Sequence, residues 1–409
     1  MSVFNQPVRF GANYVPSKNW WYSWMDWDPQ SIAEDLRCTA ALNLDHIRIH
    51  CLWPYFQPNP NYVSETAVKR LVELLEIADD CNLDVCVTVL DGWLSGYVFQ
   101  PSWQRGRNMF TDTEIVKAEK YLFEKLAEAI YDHPRFLGFD LGNELGVLQD
   151  LKFTDPATAE EADAWLIEML SHCETVAPGK MHVNGVDHVH WFKNQGFSRK
   201  TLAQTGSLTS IHAWTKWTGA EKRYGALGTG SIHIGEYHVE LVKAFHTDIH
   251  RKVWIQEFGM GERLLPSERV FEFTQPFFRS ALTCENLWGM TWWCTHNIRR
   301  DFTHFSPGEY SLGLLDVNNR VKPNGRQLSE LIAEFRRNPP QPIKRKTAMV
   351  LSEKVYSNDI DTVWSFVERY MQKIEEGLHP AIVLESKAND VEYLKSRGIE
   401  SLIIEQSLL

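Results

Sequence analysis

Two glutamates stand at points where an apolar, strand-forming stretch of the sequence ends. Residues 136–145 read FLGFDLGNEL and carry Glu144. Residues 252–260 read KVWIQEFGM and carry Glu257. Each stretch is an apolar run of strand length that gives way to a loop. Because charge is costly inside a strand that is apolar on both faces, a carboxylate there needs a polar purpose. Either glutamate alone can simply begin a surface loop, but the pair favours a chemical role.

A pair of carboxyl groups that face each other suits the hydrolysis of a glycosidic bond. One carboxylic acid protonates the leaving oxygen, and one carboxylate attacks the anomeric carbon of the sugar. If the two groups stand about 5–5.5 Å apart, the reaction passes through a covalent glycosyl-enzyme and retains the anomeric configuration. The hypothesis therefore requires a fold that brings Glu144 and Glu257 together.

An alternation of strand-like and helix-like segments predicts such a fold. Parallel strands need a crossover helix between them, and the spacing supplies one each time. The sequence therefore predicts a (β/α)8 TIM barrel, an α/β fold, over residues 1–337. The alternative is an open doubly wound sheet, but the chain has neither GxGxxG nor GxxxxGK. The predicted strands are residues 9–16, 46–53, 84–90, 136–145, 181–186, 208–214, 253–258 and 289–294.

A proline-rich break, NPPQP at residues 338–342, ends the last predicted barrel helix. Residues 343–409 then alternate between strand and helix again, which predicts a small C-terminal α/β domain. This domain carries no catalytic constellation, and about 70 residues are few for an independent core. We therefore expect it to pack on the barrel or on another subunit, and we expect a homo-oligomer.

In a TIM barrel the loops that follow the strands carry the functional side chains. Strands four and seven are three apart in a ring of eight, so their ends face each other across the mouth. Arg48, on strand two, can hold Glu257 ionised through charge-assisted hydrogen bonds. Asn143 can bind the sugar 2-hydroxyl. The other candidates for substrate contacts are polar or aromatic residues at strand ends: Asp91, Trp93, His188, His190, His212, Trp214, Trp292 and Trp293.

Structural explanations compete with the functional ones for several of these residues. Arg48 can pair with a structural acid, and His212 can be a hydrogen-bonded core histidine. His188 and His190, which follow Asp187, also suggest a metal site. A parallel strand end, however, would send both histidines to one side without supplying a third ligand. We therefore predict neither a metal nor another cofactor.

The pattern resembles glycoside hydrolase clan A and, within it, family 5, over most of residues 9–337. Its most specific element is Asn143-Glu144 on strand four together with Glu257 on strand seven. The resemblance implies that Glu144 is the acid/base and Glu257 the nucleophile. It also implies counterparts of the family's strand-two arginine, strand-six histidine and strand-eight tryptophan, which are Arg48, His212 and Trp292 or Trp293.

Two departures from the family pattern indicate an outlying subfamily. Asp91-Gly92-Trp93 stands where the family usually has a histidine at the end of strand three. His212-Ala213-Trp214 stands where it often has His-x-Tyr, whose tyrosine contacts the nucleophile. The aromatic loops and the α/β tail look like subfamily eighteen, the bacterial β-mannosidases that act on Man-β-1,4-GlcNAc. The resemblance thus implies a retaining exo-β-glycosidase that hydrolyses short β-mannosides.

Composition limits the other possibilities. The net charge of −11 and the lack of a basic stripe argue against nucleic acid or an anionic membrane as a partner. The first residues show no secretory signal, and no apolar run approaches the roughly 20 residues of a membrane span. Seven cysteines without CxxC spacing indicate free thiols. We therefore expect a cytoplasmic protein whose partner is a small oligosaccharide.

Two further functions stay open on the sequence alone. An endo-β-1,4-mannanase or β-glucanase would need an open cleft and, normally, export. A non-catalytic sugar-binding barrel would not need both glutamates, Arg48 and Asn143. The 16 tryptophans, several of them clustered near strand ends, suit stacking on sugar rings in each case.

Overall fold

The computed structural model describes residues 7–149, 155–193, 196–353 and 360–404. In these residues, seven parallel strands form a curled sheet whose order follows the chain, and the first strand pairs with the last. The strands are Arg9–Asn13, His46–Leu52, Asp84–Asp91, Phe136–Asp140, Thr209–His212, Val253–Phe258 and Leu287–Trp292.

An extended segment at residues 181–185 takes the fifth position and closes the barrel. Val183 forms a parallel bridge with Asp140 on the fourth strand. On the other side, Ser207 donates its backbone N–H to the carbonyl oxygen of His182 at 2.8 Å. The predicted (β/α)8 TIM barrel is therefore confirmed, and we number its positions one to eight along the chain.

Gly185 interrupts the regular pairing at position five. Its φ of 64° lies in the left-handed region, and a Cβ there would meet Oδ1 of Asp140 at 2.2 Å. Its carbonyl oxygen accepts the backbone N–H of Glu144 at 2.8 Å. The strand predicted at residues 181–186 is thus a single bridge, and its irregular end holds the backbone of Glu144.

In the described part of the chain, eight helices follow the barrel strands and cover the sheet with apolar faces. In the second of them Leu71, Leu74 and Leu75 are buried, at the spacing of one helix face. Asp112 caps the third helix, where its side chain accepts hydrogen bonds from the backbone N–H groups of Glu114 and Ile115. The eight helices are Pro29–Ala40, Glu65–Asp80, Thr113–Ile130, Ala159–Val176, Arg199–Gln204, Thr229–Phe245, Val270–Ala281 and Pro323–Arg337.

Shorter helical pieces lie in the loops. Short α-helices are Trp53–Phe56, Leu145–Gln149, Val189–Phe192 and Ala220–Tyr224. Turns of 3-10 helix are Trp20–Trp24, Ser102–Gln104, Ser267–Arg269, Glu309–Ser311 and Glu385–Lys387. A two-stranded hairpin, Trp93–Leu94 with Tyr97–Val98, follows the third barrel strand.

The helix after strand six begins earlier than the sequence predicts. The predicted helix covers residues 235–250 after a glycine-rich loop, whereas the structure has it at Thr229–Phe245. Gly235 lies inside this helix, where a Cβ would stand 2.7 Å from the ring of Phe277. This glycine therefore serves close packing between neighbouring helices, which its position at the start of the predicted helix does not indicate.

The region predicted as a C-terminal domain forms a three-stranded parallel sheet in its described residues. Thr347–Leu351 is the central strand, between Ala381–Leu384 and Ser401–Ile403. Its helices are Ile360–Glu375 and Val391–Ser396. The ends of the two predicted domains, residues 1 and 409, lie outside the described residues.

This region packs against the barrel. The indole N–H of Trp364 donates to the carbonyl oxygen of Thr218 at 3.0 Å, and the rings of Tyr237 and Tyr370 lie 5.1 Å apart. Within the residues that the structure describes, we find no helix with both the length and the apolar character that a membrane crossing needs. The cytoplasmic location and the homo-oligomer stay predictions.

A buried glutamate joins the C-terminal sheet to the barrel. The carboxylate of Glu236 lies 2.7 Å from Nδ1 of His233, 2.7 Å from Nδ1 of His379 and 2.8 Å from Nη1 of Arg345. Burial raises the pKa of Glu236, but the hydrogen bonds from both histidines and the charge of Arg345 outweigh it. The net result is a pKa of about 2. Glu236 is therefore an anion at neutral pH.

We expect Glu236→Gln to destabilise the protein by about 3 kcal/mol at pH 7, because it leaves a buried arginine short of a partner. The pKa of Glu236 is lower in the folded chain than in the unfolded one. Its contribution is therefore complete above about pH 5 and is lost as the pH falls toward 2. Urea unfolding at pH 7 and pH 3.5 measures both effects. Glu334→Gln, which breaks an exposed pair with Arg279, should cost under about 1 kcal/mol. Equal losses in the two variants would contradict the role of Glu236.

Candidate active site

The guanidinium of Arg48 is the centre of a buried network at the carboxyl ends of the strands. Its Nε donates to Asp140 at 2.7 Å, its Nη1 to Glu257 at 2.6 Å and its Nη2 to Asn143 at 2.9 Å. Burial opposes the charge of Arg48, but the carboxylates of Asp140 and Glu257 outweigh it and raise the pKa of the arginine. Arg48 thus contacts both a structural acid and one of the two candidate catalytic acids.

Glu257 is buried and faces hydrogen-bond donors. Arg48 donates to its Oε1, and the indole N–H of Trp214 donates to its Oε2 at 3.1 Å. Burial raises the pKa of Glu257, while His212 and Arg48 act in the opposite direction. Trp214 therefore supplies the contact for which the family resemblance implied a tyrosine.

Glu144 stands in the turn after strand four, four residues beyond Asp140, in an unusual backbone conformation. Its φ of 48° is uncommon for a residue other than glycine, and such outliers cluster at functional sites. Its Oε1 lies 3.0 Å from Nδ1 of His212. The side chain of Glu144 is 19% exposed, against 4% for Glu257, so Glu144 is the more open of the pair.

The two glutamates meet as the sequence predicts that they must. Carboxylate oxygens of Glu144 and Glu257, with Nδ1 of His212 beside them, lie within 4.8 Å of one another. Burial raises the pKa of Glu144 to about 7, against the opposing charge of Arg48. One carboxyl group of the pair therefore carries a proton for much of the time near neutral pH, next to one that is held by a guanidinium.

A cavity of about 510 Å³ opens over this pair. Tryptophan rings form much of its wall, and aromatic faces of this kind suit sugar rings. The peptide bond between Trp293 and Cys294, next to the wall, is cis. The lining residues are Trp93, Ser95, Gly96, Asn143, Glu144, Val147, Asp187, His188, Trp214, Trp217, Glu257, Trp293, His304, Ser306 and Glu309.

Three other candidates lie beneath this lining. Arg48 and His212 contact the glutamates directly, and Asp91 accepts the backbone N–H of Asn143 at 3.1 Å through its Oδ1. Asn143 also donates its side-chain amide to the carbonyl oxygen of Trp93 at 3.0 Å. Asp91 thus fixes the backbone beside Glu144 rather than reaching the cavity.

Trp292 and His190 lie away from the cavity. Successive strand residues point to opposite faces, so Trp293 faces the mouth while Trp292 packs against Phe258. His190 belongs to the short helix Val189–Phe192 and lies behind Gly146. An extended strand end would place His188 and His190 on one side, as predicted, but the helical turn separates them.

Several residues of the site were not predicted from the sequence. Asn13 accepts from Arg48 at 3.1 Å, and Gln256 bonds to both Asp140 and His212. Gln256 and its neighbour Glu257 both reach the network because the pairing of strand seven is irregular between residues 255 and 258. Strict strand alternation would have turned one of the two away from the mouth.

Glu309 is another carboxyl group in the cavity, in addition to those of Glu144, Glu257 and Asp187. It comes from the long loop after strand eight, and Ser95 donates to it at 3.0 Å. Burial raises the pKa of Glu309 to about 6. No motif marks this residue, and its only signal in the sequence is its place in a loop that follows a barrel strand.

Two groups of three side chains could hold a metal among the described residues. In each group the possible ligand atoms lie within 4.8 Å of one another. An arginine already contacts a carboxylate in both groups, Arg48 at 2.6 Å and Arg345 at 2.8 Å, and its charge would repel a cation. We therefore interpret both as ion-pair networks. The groups are Glu144, His212 and Glu257, and His233, Glu236 and His379.

A TIM barrel with two opposed glutamates and an aromatic cavity at its mouth defines a glycoside hydrolase. The comparisons with known proteins agree. A glutamate-to-alanine variant of GH5_18 from Streptomyces cattleya, in complex with Manβ1-4GlcNAc, is 36% identical, with a TM-score of 0.92 over 98% of this chain and 99% of that chain. GH5_18 from Bifidobacterium longum subsp. infantis is 33% identical, with a TM-score of 0.92 over 98% and 97%. The chain belongs to glycoside hydrolase family 5, subfamily 18.

More distant structures share the fold. An exo-beta-1,4-mannosidase from Opitutaceae bacterium strain TAV5 is 22% identical, with a TM-score of 0.76 over 92% of this chain and 69% of that chain. No protein-family model matches the chain, and no curated protein matches it. The family membership therefore rests on the solved structures that exceed 30% identity.

Proposed function

We propose that this enzyme is a retaining exo-β-mannosidase that releases mannose from short β-mannosides such as Man-β-1,4-GlcNAc. Glu257 is the nucleophile and Glu144 the acid/base. The approach of their carboxylate oxygens to within 4.8 Å carries the proposal. Retaining glycosidases separate their carboxyl groups by about 5–5.5 Å, whereas inverting ones need about 6.5–9.5 Å to admit a water molecule.

In the first step Glu257 attacks the anomeric carbon and the bond to the leaving oxygen breaks. The proton of Glu144 passes to that oxygen, which keeps the electron pair of the broken bond. In the second step Glu144, now a carboxylate, takes a proton from water. The resulting hydroxide attacks the anomeric carbon and Glu257 leaves as a carboxylate. Arg48 and Trp214 favour the anionic form of Glu257 at both ends of this cycle.

Asn143 is in a position to bind the 2-hydroxyl of the attacked sugar. Its side chain lines the cavity next to Glu144, and its Oδ1 accepts from Arg48. The side-chain oxygen accepts from Arg48 and the side-chain NH₂ donates to the carbonyl oxygen of Trp93, and these two hydrogen bonds fix the direction of the amide. Such a contact strengthens in the transition state, because positive charge then develops on the sugar ring.

The loops on one side of the cavity support exo rather than endo action. The hairpin after strand three meets the loop after strand eight, where Ser95 contacts Glu309 and the hydroxyl of Tyr97 donates to Thr303 at 2.5 Å. Trp20 packs against Tyr97 at a ring separation of 5.5 Å. This wall suits an enzyme that takes the end of a sugar chain, whereas an endo-enzyme needs an open cleft.

The choice of substrate is supported by the relatives and by the space beside the site. The Streptomyces cattleya structure is a complex with Manβ1-4GlcNAc, at 36% identity to this chain. A second cavity of about 250 Å³ adjoins the first and shares Trp214, Trp217 and Glu309 with it. The second cavity therefore offers space for the leaving sugar beside the cavity that Glu144 lines.

Aryl β-mannoside, β-glucoside and β-galactoside, assayed with Man-β-1,4-GlcNAc and mannotriose, test this proposal. We expect the aryl β-mannoside to have the highest kcat/KM of the three aryl substrates. Mannotriose should release mannose from its non-reducing end from the first minutes. Rapid loss of viscosity of a β-mannan solution would instead indicate an endo-enzyme. No turnover on any β-linked substrate would leave the non-catalytic sugar-binding barrel.

A further inference from the structure

We propose that Gln256 is a positioning residue that fixes the tautomer of His212, so that the ring nitrogen facing Glu144 is a proton acceptor. Glu144 then holds its proton against this nitrogen until a glycosidic oxygen takes it. The inference rests on the acid/base role proposed for Glu144.

The amide of Gln256 has one direction in this network. Oδ2 of Asp140 accepts from Nε of Arg48 at 2.7 Å and from the hydroxyl of Thr88 at 3.1 Å. An oxygen that faces a guanidinium N–H, which can only donate, must itself accept. The group of Gln256 that lies 3.1 Å from the same oxygen is therefore its NH₂, and its carbonyl Oε1 points the other way.

The direction of Gln256 determines the tautomer of His212. Oε1 of Gln256 lies 3.2 Å from Nε2 of His212, and a carbonyl oxygen can only accept, so Nε2 carries a hydrogen. His212 is fully buried, and burial lowers the pKa of its ring despite the opposing charge of Glu257. The ring is therefore neutral, and a neutral ring with a hydrogen on Nε2 has a bare Nδ1.

The bare Nδ1 lies between the two catalytic carboxyl groups. It is 3.0 Å from Oε1 of Glu144 and 3.4 Å from Oε2 of Glu257. Glu257 already accepts from Arg48 and Trp214, so the proton that satisfies Nδ1 comes from Glu144. An ionised Glu144 would instead set two acceptors against each other. This arrangement keeps Glu144 in the acid form before the first step and makes it a stronger base in the second.

Other charged or titratable groups face this pair from neighbouring elements. Burial lowers the pKa of His50 and His188, so both rings are neutral and add no charge. Glu309, across the cavity, favours the neutral form of Glu144 whenever it is itself ionised. Arg48 is the cation of the site and favours the ionised form of Glu144. The acceptor at Nδ1 therefore favours the protonated form of Glu144 and opposes the effect of Arg48.

Nitrogen-15 NMR of histidine-labelled enzyme tests the tautomer without any assay of activity. We expect the wild-type spectrum near pH 6 to show His212 as a neutral ring with a bare Nδ1 and a protonated Nε2. The signals are assigned by their absence in His212→Gln. A protonated Nδ1 in the wild-type enzyme would overturn the inference, whatever substrate the enzyme hydrolyses. A bare Nδ1 in an enzyme with no glycosidase activity would overturn the proposed function alone.

The pH profile of Gln256→Met tests the consequence for Glu144. Without the carbonyl, His212 can place its hydrogen on Nδ1 and donate to Glu144, which favours the carboxylate. We expect the alkaline limb of kcat/KM for Man-β-1,4-GlcNAc to move down by about 1 pH unit, because acid catalysis needs the protonated form. The limb for an activated aryl β-mannoside should shift less. A limb that stays at the wild-type pH would overturn the inference.

Gln256→Glu separates this effect from simple disruption of the network. Next to Asp140 the new carboxyl group is expected to stay protonated, since two buried like charges at this distance are unfavourable. It then offers an O–H to Asp140 and a carbonyl to Nε2 of His212, as the amide does. We expect its alkaline limb to lie closer to that of the wild type than the limb of Gln256→Met. Identical shifts in both variants would indicate a structural role only.

Discussion

Replacing Glu257 by alanine should lower kcat by about 10⁴-fold or more on every β-mannoside, since catalytic groups that act as a unit lose most of the rate when one is removed. The variant has no nucleophile to form the glycosyl-enzyme. Arg48 also loses a carboxylate at 2.6 Å and keeps its charge without that partner. Steady-state rates on an activated aryl β-mannoside measure this loss. The aryl group of that substrate leaves without a proton, so the rate reports the missing nucleophile.

An added nucleophile distinguishes loss of chemistry from loss of fold in this variant. Azide can occupy the space of the removed carboxylate and attack the same face of the sugar, so turnover should return with an α-mannosyl azide as product. Glu309→Gln is the matched control, because Glu309 lines the same cavity but is not bonded to Arg48 or His212 in the described network. We expect it to keep far more of the wild-type rate than Glu257→Ala does. A β-mannosyl azide from Glu257→Ala would contradict the assignment of the nucleophile.

The core of the site could be predicted because the barrel topology does most of the positioning. Glu144 and Glu257 are far apart in the chain, but strand ends of a closed parallel barrel meet at one rim. Arg48 could be placed by the same argument, since a polar residue in the buried strand His46–Leu52 must face the barrel interior to find a partner. Hydrophobic periodicity in the sequence is enough to predict both the barrel that brings the glutamates together and the buried strand that carries Arg48.

The details that depend on single residues could not be predicted in this way. The choice between Trp292 and Trp293 depends on the face of strand eight that each residue takes, and the pairing register that decides it is not visible in an apolar run. Gln256 reaches the network only through an irregularity in strand seven. Irregular pairing arises from the packing of neighbouring strands rather than from local propensity.

The wall of the cavity is a contact between distant loops. Ser95 and Glu309 are separated by 214 residues, and neither lies in a motif. Loops of this kind carry substrate choice on a common scaffold, so the family can be predicted from strand ends, whereas the choice between exo and endo action cannot. Trp214, in contrast, departs from the family pattern in its residue type but not in its contact. Its indole N–H donates a hydrogen bond to Glu257.

Glu144→Ala should divide substrates by the quality of their leaving group. Man-β-1,4-GlcNAc needs a proton on its leaving oxygen, so we expect kcat/KM to fall by about 10²–10⁴-fold. A dinitrophenyl β-mannoside leaves without a proton, and its kcat/KM should change by less than about 10-fold. The glycosyl-enzyme then accumulates, because no base activates water, and a rapid burst of dinitrophenol should precede a slow steady state. Equal losses on the two substrates would contradict the acid role of Glu144.

Azide makes the comparison with Glu257→Ala decisive. In Glu144→Ala, azide needs no base and attacks the glycosyl-enzyme from the face opposite Glu257, so the product should be a β-mannosyl azide. The same reagent should give the α anomer when the nucleophile is missing. Glu144→Gln, which keeps the size of the side chain, should behave like the alanine variant in both the burst and the anomer. Opposite anomers from the two positions would assign each glutamate by the face of the sugar that it serves, which no rate measurement alone can do.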